Sequence, residues 1–270
     1  MSERVSCTVS NGIADVRLTR PEKRNALDRA MFRAIIEAAD RVAADRLVRV
    51  VVLSGEGKAF CAGLDTSLFA SMAAPPTGAR SSPTDGATDG ATDSLRADAV
   101  LAVRTWTELA VPVIAAVHGV AVGGGFQLAL GADLRIVAPD AQLGVFEIKW
   151  GIVPDMCGTQ LLPPLVGPDV AKDLMFTARL VSGEEAKAMG LATRLAADPR
   201  AAALDLAADI AGRNPEAIRV MKRLVDLSWA TSLADGLRAE QELTEGMIGS
   251  VNQLEAVRAN LEQRAGWFED

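Results

Sequence analysis

Histidine occurs once in the 270 residues, tyrosine never, and aromatic residues together make up only 4%. With His118 alone, a metal centre built on imidazoles is nearly excluded. Cysteine is also scarce. Cys7, Cys61 and Cys157 are widely spaced, which suits reduced thiols better than a disulfide framework or a zinc site. No apolar run approaches the roughly 20 residues needed to span a bilayer, and the N-terminus lacks a basic segment followed by a long apolar one, so neither a membrane span nor a targeting segment is expected. Basic residues do not dominate: 28 Lys and Arg stand against 35 Asp and Glu, for a formal net charge of −7. Such a surface offers no overall positive field to nucleic acid or anionic lipid. The default expectation is a soluble, cytoplasmic protein with no metal centre.

Core material is plentiful, with 49% of residues hydrophobic, enough for one large domain or one domain and a small appendage. The chain opens with two β-rich runs, Arg4 to Val9 and Ile13 to Thr19, around Ser10-Asn11-Gly12; Asn-Gly between such runs signals a hairpin. Asp28 is placed to cap a helix reaching about Asp45, and Val48 to Leu53 reads as a strand buried on both faces. From Ala73 to Ser94 the composition turns to Ala, Pro, Thr, Gly, Ser and Asp, with Asp85-Gly-Ala-Thr repeated at Asp89. This stretch reads as a flexible insertion, a solvated loop or a lid. A helix over Leu95 to Leu109 follows. From Asp169 onward the pattern is mainly helical, ending in helices over Pro199 to Gly212, Pro215 to Trp229 and Ser232 to Ala265. The expected organisation is an α/β core over residues 1–197 and a helical region over 198–270.

The chain is organised around Val117 to Asp133. An apolar strand, Val113 to Val117, leads through Gly123, Gly124 and Gly125 into an apolar, helix-compatible run from Phe126. Glycines at a helix start leave amides without intrahelical acceptors, at the end of the helix dipole that favours negative charge. They could receive an oxyanion, phosphate or carboxylate, or only let the helix pack closely on a strand. The register Gly-x-Gly-x-x-Gly is absent, so a dinucleotide site is not indicated. A second small-residue loop, Gly55 to Asp65, is a candidate half-site. Glu147 and Asp155 stand eight residues apart with Gly151 and Pro154 between them, so a loop must bring them together. Their bland alternatives are an ion pair of Glu147 with Lys149 or an arginine, and a helix cap by Asp155.

Five stretches in order, Arg20-Pro-Glu-Lys-Arg-Asn-Ala-Leu27, Gly57-Lys-Ala-Phe-Cys-Ala-Gly-Leu-Asp65, Ala116-Val-His-Gly-Val-Ala-Val-Gly-Gly-Gly125, Pro154-Asp-Met-Cys-Gly-Thr-Gln160 and Gly183-Glu-Glu-Ala-Lys-Ala-Met-Gly-Leu191, resemble the crotonase superfamily, the enoyl-CoA hydratase/isomerase family. The resemblance covers nearly the whole chain. It implies an α/β fold, a crotonase-like spiral of ββα units with a helical C-terminal region, assembled as a homotrimer or a dimer of trimers. It also implies an acyl-CoA thioester ligand, with CoA as part of the substrate and no separate cofactor.

Position by position, the resemblance puts the two oxyanion-holding amides at Leu64 and Gly124. Pre-aimed donors of this kind stabilise the enolate formed when a proton leaves or a nucleophile adds. Backbone around Lys23, Arg24, Ala26, Ala62 and Asp65 is expected to line the CoA groove. Where a typical hydratase has two glutamates, the first position here is Gln127, which cannot act as a general acid or base; the second is Glu147. Asp155 matches an aspartate of the dienoyl-CoA isomerase branch, although that branch also carries an acid at position 127. The expected function is double-bond isomerisation by Glu147 and Asp155. The alternatives are enoyl-CoA hydration by Glu147 with Gln127 orienting water, and a non-catalytic acyl-CoA scaffold. His118 is expected to be a hydrogen-bonded packing residue, not a base.

Overall fold

The computed structural model describes residues 4–68 and 90–270. Strands β1 (Val5–Ser10) and β2 (Ile13–Leu18) form the expected antiparallel hairpin, with Ser10 opposite Ile13. Asn11 and Gly12 both have positive φ, 51° and 77°, which is the twist a two-residue hairpin turn requires. β3 (Val50–Gly55), β4 (Val113–Val117), β6 (Leu134–Val137) and β9 (Arg194–Leu195) then add in parallel, giving one sheet in the order β1-β2-β3-β4-β6-β9.

Both faces of the central strands are covered, which is why they read as unbroken apolar runs. Side chains alternate along a strand. Val51, Leu53, Val113 and Ala115 belong to the cluster holding Met31, Phe32 and Ile35 of helix α1 (Arg29–Ala44) and Trp106 of helix α2 (Gly90–Thr107). Val50, Val52, Ile114, Ala116 and Ile136 meet Ala203, Ala207 and Ala211. Alanine every fourth residue lets that last helix, Pro199–Ala211, lie close to the sheet. It therefore packs on the sheet although it lies beyond residue 197. Asp28 caps α1 as expected, its carboxylate accepting from the Met31 amide at 2.8 Å, a bond worth about 1 kcal/mol.

A second, three-stranded sheet in the order β5-β7-β8 consists of β5 (Val120–Val122), β7 (Gln142–Gly144) and β8 (Val181–Ser182). It stands beside the seven-residue helix α3 (Gly124–Leu130), every residue of which is buried. The three glycines thus fall at a helix start, with Gly123 at the cap position. The architecture is the expected mixed α/β fold.

Three expectations need adjustment. Of the insertion over 73–94, residues 73–89 lie outside the described residues, and the last five open α2 instead of preceding it. The helix that a cap by Asp155 would open is instead two single turns, Gly158–Leu161 and Pro163–Val166, because Pro163 and Pro164 remove backbone donors. Within the mainly helical stretch after Asp169, Arg194–Leu195 forms a two-residue strand. The long final helix is two, Leu233–Met247 and Val251–Leu261. Gly249 at φ 84° turns the chain, and the Ser250 hydroxyl accepts from the Gln253 amide to restart it.

Candidate active site

Three backbone segments are stitched side by side to make the site. The Gly63 carbonyl accepts from the Leu27 amide at 2.8 Å, and the Leu27 carbonyl accepts from Asp65 at 2.9 Å. On the other side, Cys61 donates to the Val120 carbonyl at 3.0 Å and Val122 donates to Cys61 at 3.2 Å. The loop over 61–65 is thereby clamped between the segments around Leu27 and Val120. Asn25 locks this arrangement. Fully buried and at φ 56°, it donates from Nδ2 to the carbonyls of Glu56, Ala59 and Phe60 at 2.9–3.1 Å and accepts from the Arg20 amide.

The clamp brings together the two amides expected to hold an oxyanion. A β-carbon placed on Gly63 would lie 3.5 Å from the Gly124 nitrogen, so the Leu64 and Gly124 segments are direct neighbours. Among the described residues, neither the Leu64 nor the Gly124 N–H donates to a loop or turn carbonyl. Both residues line a cavity of about 300 Å³, together with Arg24, Ala62, Phe146, Glu147, Trp150, Ile152, Asp155 and Met156. An adjoining cavity of about 260 Å³ is lined by Lys23, Arg24, Ala26, Ala62, Leu64 and Asp65. All five residues expected along a CoA groove thus border one space, which shares Arg24, Ala62, Leu64 and Thr66 with the first.

Glu147 sits in a short 3-10 turn, Glu147–Trp150, and is buried. Its Oε1 accepts from Gln127 Nε2 at 2.6 Å, while its buried Oε2 has no hydrogen-bond partner. Burial is the main cause that pushes its carboxyl pKa up; its own backbone amide and then the Gln127 donor pull it down, and the Asp155 charge raises it. The expected alternative of a pair with Lys149 is not realised, since that ammonium lies 3.5 Å from the centre of the Phe146 ring. Asp155 is exposed on the wall of the same cavity. It caps no helix: the next one starts at Gly158, with Cys157 at the cap position and no side-chain cap.

Gln127 is held by protein on both ends of its amide, its Nε2 on Glu147 and its Oε1 on backbone. Its Oε1 accepts from the Met156 amide at 2.9 Å and the Gly158 amide at 2.8 Å. Asp65 borders the adjoining cavity, but its carboxylate is spent locally. It accepts from the Ser67 amide and hydroxyl and pairs with Arg20 at 2.7 Å, which hold its pKa down to about 2. His118 donates to the Gly57 carbonyl at 3.0 Å and borders neither cavity, as expected of a packing residue. Asn25, Thr66, Phe146, Trp150, Ile152 and Met156 were not singled out from the sequence. Only Asn25 carried a local signal, as a residue tolerant of the left-handed conformation inside a polar loop.

A family model described as "Enoyl-CoA hydratase/isomerase" matches residues 8–270. The chain belongs to the enoyl-CoA hydratase/isomerase family. Mouse mitochondrial methylglutaconyl-CoA hydratase is 32% identical over 262 residues, covering 94% of this chain and 79% of that protein. Bovine mitochondrial enoyl-CoA hydratase domain-containing protein 2 is 34% identical, covering 96% and 85%. The crystal structure of enoyl-CoA hydratase from Bacillus anthracis superposes with a TM-score of 0.88 at 30% identity over 98% of each chain. Among the described residues, this enoyl-CoA hydratase/isomerase family member therefore shares the crotonase-type fold, helical region included. Among the described residues, no helix is long and apolar enough to cross a membrane.

Proposed function

We propose that the protein binds an acyl-CoA thioester across the two joined cavities and shifts a double bond in its acyl group through a thioester enolate. The Leu64 and Gly124 amides receive the thioester oxygen. Glu147 removes a proton from the acyl chain, the electron pair flows toward that oxygen, and a proton returns at a different carbon. Asp155, which lines the same cavity, assists the proton transfer. The observation that carries this reading is the meeting, on one cavity, of two unspent amides and a buried carboxylate oxygen without a partner. Fixed donors in a site shielded from water stabilise developing negative charge far better than bulk solvent does.

Hydration of a 2-enoyl thioester is the second reading, favoured by the names of the relatives, two of which are hydratases. It uses the same amides, with Glu147 as the acid–base group and Gln127 orienting water. The proposal extends to an assembly of three or six copies. On the helix Pro215–Ser228, Met221 and Val225 are 53% and 61% exposed in the single chain, and apolar faces of that extent favour association. The free thiols of Cys7, Cys61 and Cys157 suit a reducing compartment such as the cytoplasm.

Incubating the protein with enoyl- and dienoyl-CoA thioesters and weighing the products separates the readings. Isomerisation leaves the mass unchanged, whereas hydration adds one water. Calorimetry with a thioester and its free acid tests the CoA requirement; equal affinities would overturn it.

A further inference from the structure

We infer that Gln127 is a positioning residue that commits Glu147 to proton transfer through Oε2 alone. The inference rests on Glu147 being the acid–base group, and it explains what a glutamine does at a position where typical hydratases of the family carry an acid. Gln127 is 1% exposed, so its amide must be satisfied by protein. Two backbone N–H groups, from Met156 and Gly158, converge on its Oε1. Flipping the amide would turn its NH2 toward both donors and leave two buried N–H groups without acceptors, each costing on the order of 1–3 kcal/mol. The orientation is therefore decided by the backbone, and Nε2 faces Glu147 Oε1 at 2.6 Å.

That bond has two chemical consequences. It occupies Oε1 with a fixed donor, so the carboxylate cannot present either oxygen interchangeably, and Oε2 is the oxygen left without a partner. It also stabilises the ionised form, opposing burial, so that a carboxylate in a largely apolar wall remains available as a base. A glutamate at 127 would do the opposite. One of its oxygens would still satisfy the two backbone donors, but the other would face Glu147 Oε1, and the pair would have to share a proton. The other charged groups at this cavity are Asp155 and Arg24, while Lys149 on the same turn faces Phe146. None of these substitutes for the Gln127 donor, because none is hydrogen-bonded to Glu147 among the described residues.

The test combines a titration with kinetics on wild type, Gln127→Met and Gln127→Glu. The Glu147 carboxyl is followed by 13C NMR in glutamate-labelled protein, assigned with Glu147→Gln, and this readout does not depend on turnover. Loss of the donor is expected to raise the Glu147 pKa by about one unit or more. With the thioester identified by product mass, Gln127→Met should lower kcat roughly tenfold or more, change KM little, and move the acid limb of the pH profile upward by the same interval. Gln127→Glu keeps the acceptor for Met156 and Gly158, so it stays folded if Gln127→Met does not, and it should raise the Glu147 pKa further. An unchanged Glu147 pKa in both variants would overturn the inference. Full turnover by Glu147→Gln would instead overturn the assignment of Glu147 as the acid–base group, whatever the titration shows.

Discussion

Gly125 lies so close to Cys61 that a β-carbon on it would sit 2.2 Å from the Cys61 carbonyl oxygen. The contact is with backbone, and that same carbonyl accepts from the Val122 amide, so it cannot move aside without opening the clamp that forms the site. Gly125→Ala is accordingly expected to destabilise the fold by roughly 1–3 kcal/mol, the usual range for overpacking, and to weaken thioester binding. Urea unfolding and calorimetry measure the two effects. A variant with wild-type stability and affinity would show that the junction yields more easily than its geometry implies.

Glu147→Gln should abolish most turnover, by roughly 100-fold or more as befits loss of a general acid or base, with little change in KM. Its effect on stability has the opposite sign. Burial raises the folded-state pKa of Glu147 above its ordinary 4.5, so the stability that the protonated group contributes is complete below that value and is lost as pH rises through the folded value. Glu147→Gln should therefore melt above wild type at pH 7, and the two should converge toward pH 4.

Asp155→Asn separates the two readings of the reaction. If Asp155 shares in moving the proton, kcat falls about 100-fold while KM holds; if the reaction is hydration by Glu147, the loss is mild. Since Asp155 is exposed and caps no helix, the melting temperature should hardly change in either case. Near-wild-type turnover on every thioester would remove Asp155 from the chemistry.

The pair of Asp65 and Arg20 gives a prediction with its own pH window. Hydrogen bonds from Ser67 and the Arg20 guanidinium depress the Asp65 pKa from 3.8 to about 2. The stability this contributes is present above the unfolded value and lost as pH falls through the folded one. Asp65→Asn should lower the melting temperature at pH 7, and the difference from wild type should shrink between pH 4 and pH 2. A difference that stays constant over that interval would assign its effect to packing instead of charge.

Local chemistry made much of this chain legible without coordinates. Asn11-Gly12 specified its own hairpin, Asp28 its own helix start, and the doubly apolar central strands their own burial, because each depends on residues within a few positions of one another. Five short motifs in order were enough for the family. What the sequence could not disclose were relations set by where distant segments meet. That Asn25 staples three carbonyls more than 30 residues away, that the Met156 and Gly158 amides dictate which way Gln127 faces, and that one oxygen of Glu147 is left without a partner all depend on loops packed across the strand–helix junction. Hydrogen bonds of this kind are directional and non-local. Residue type names the possible donors and acceptors, and only the tertiary structure decides which of them are within reach.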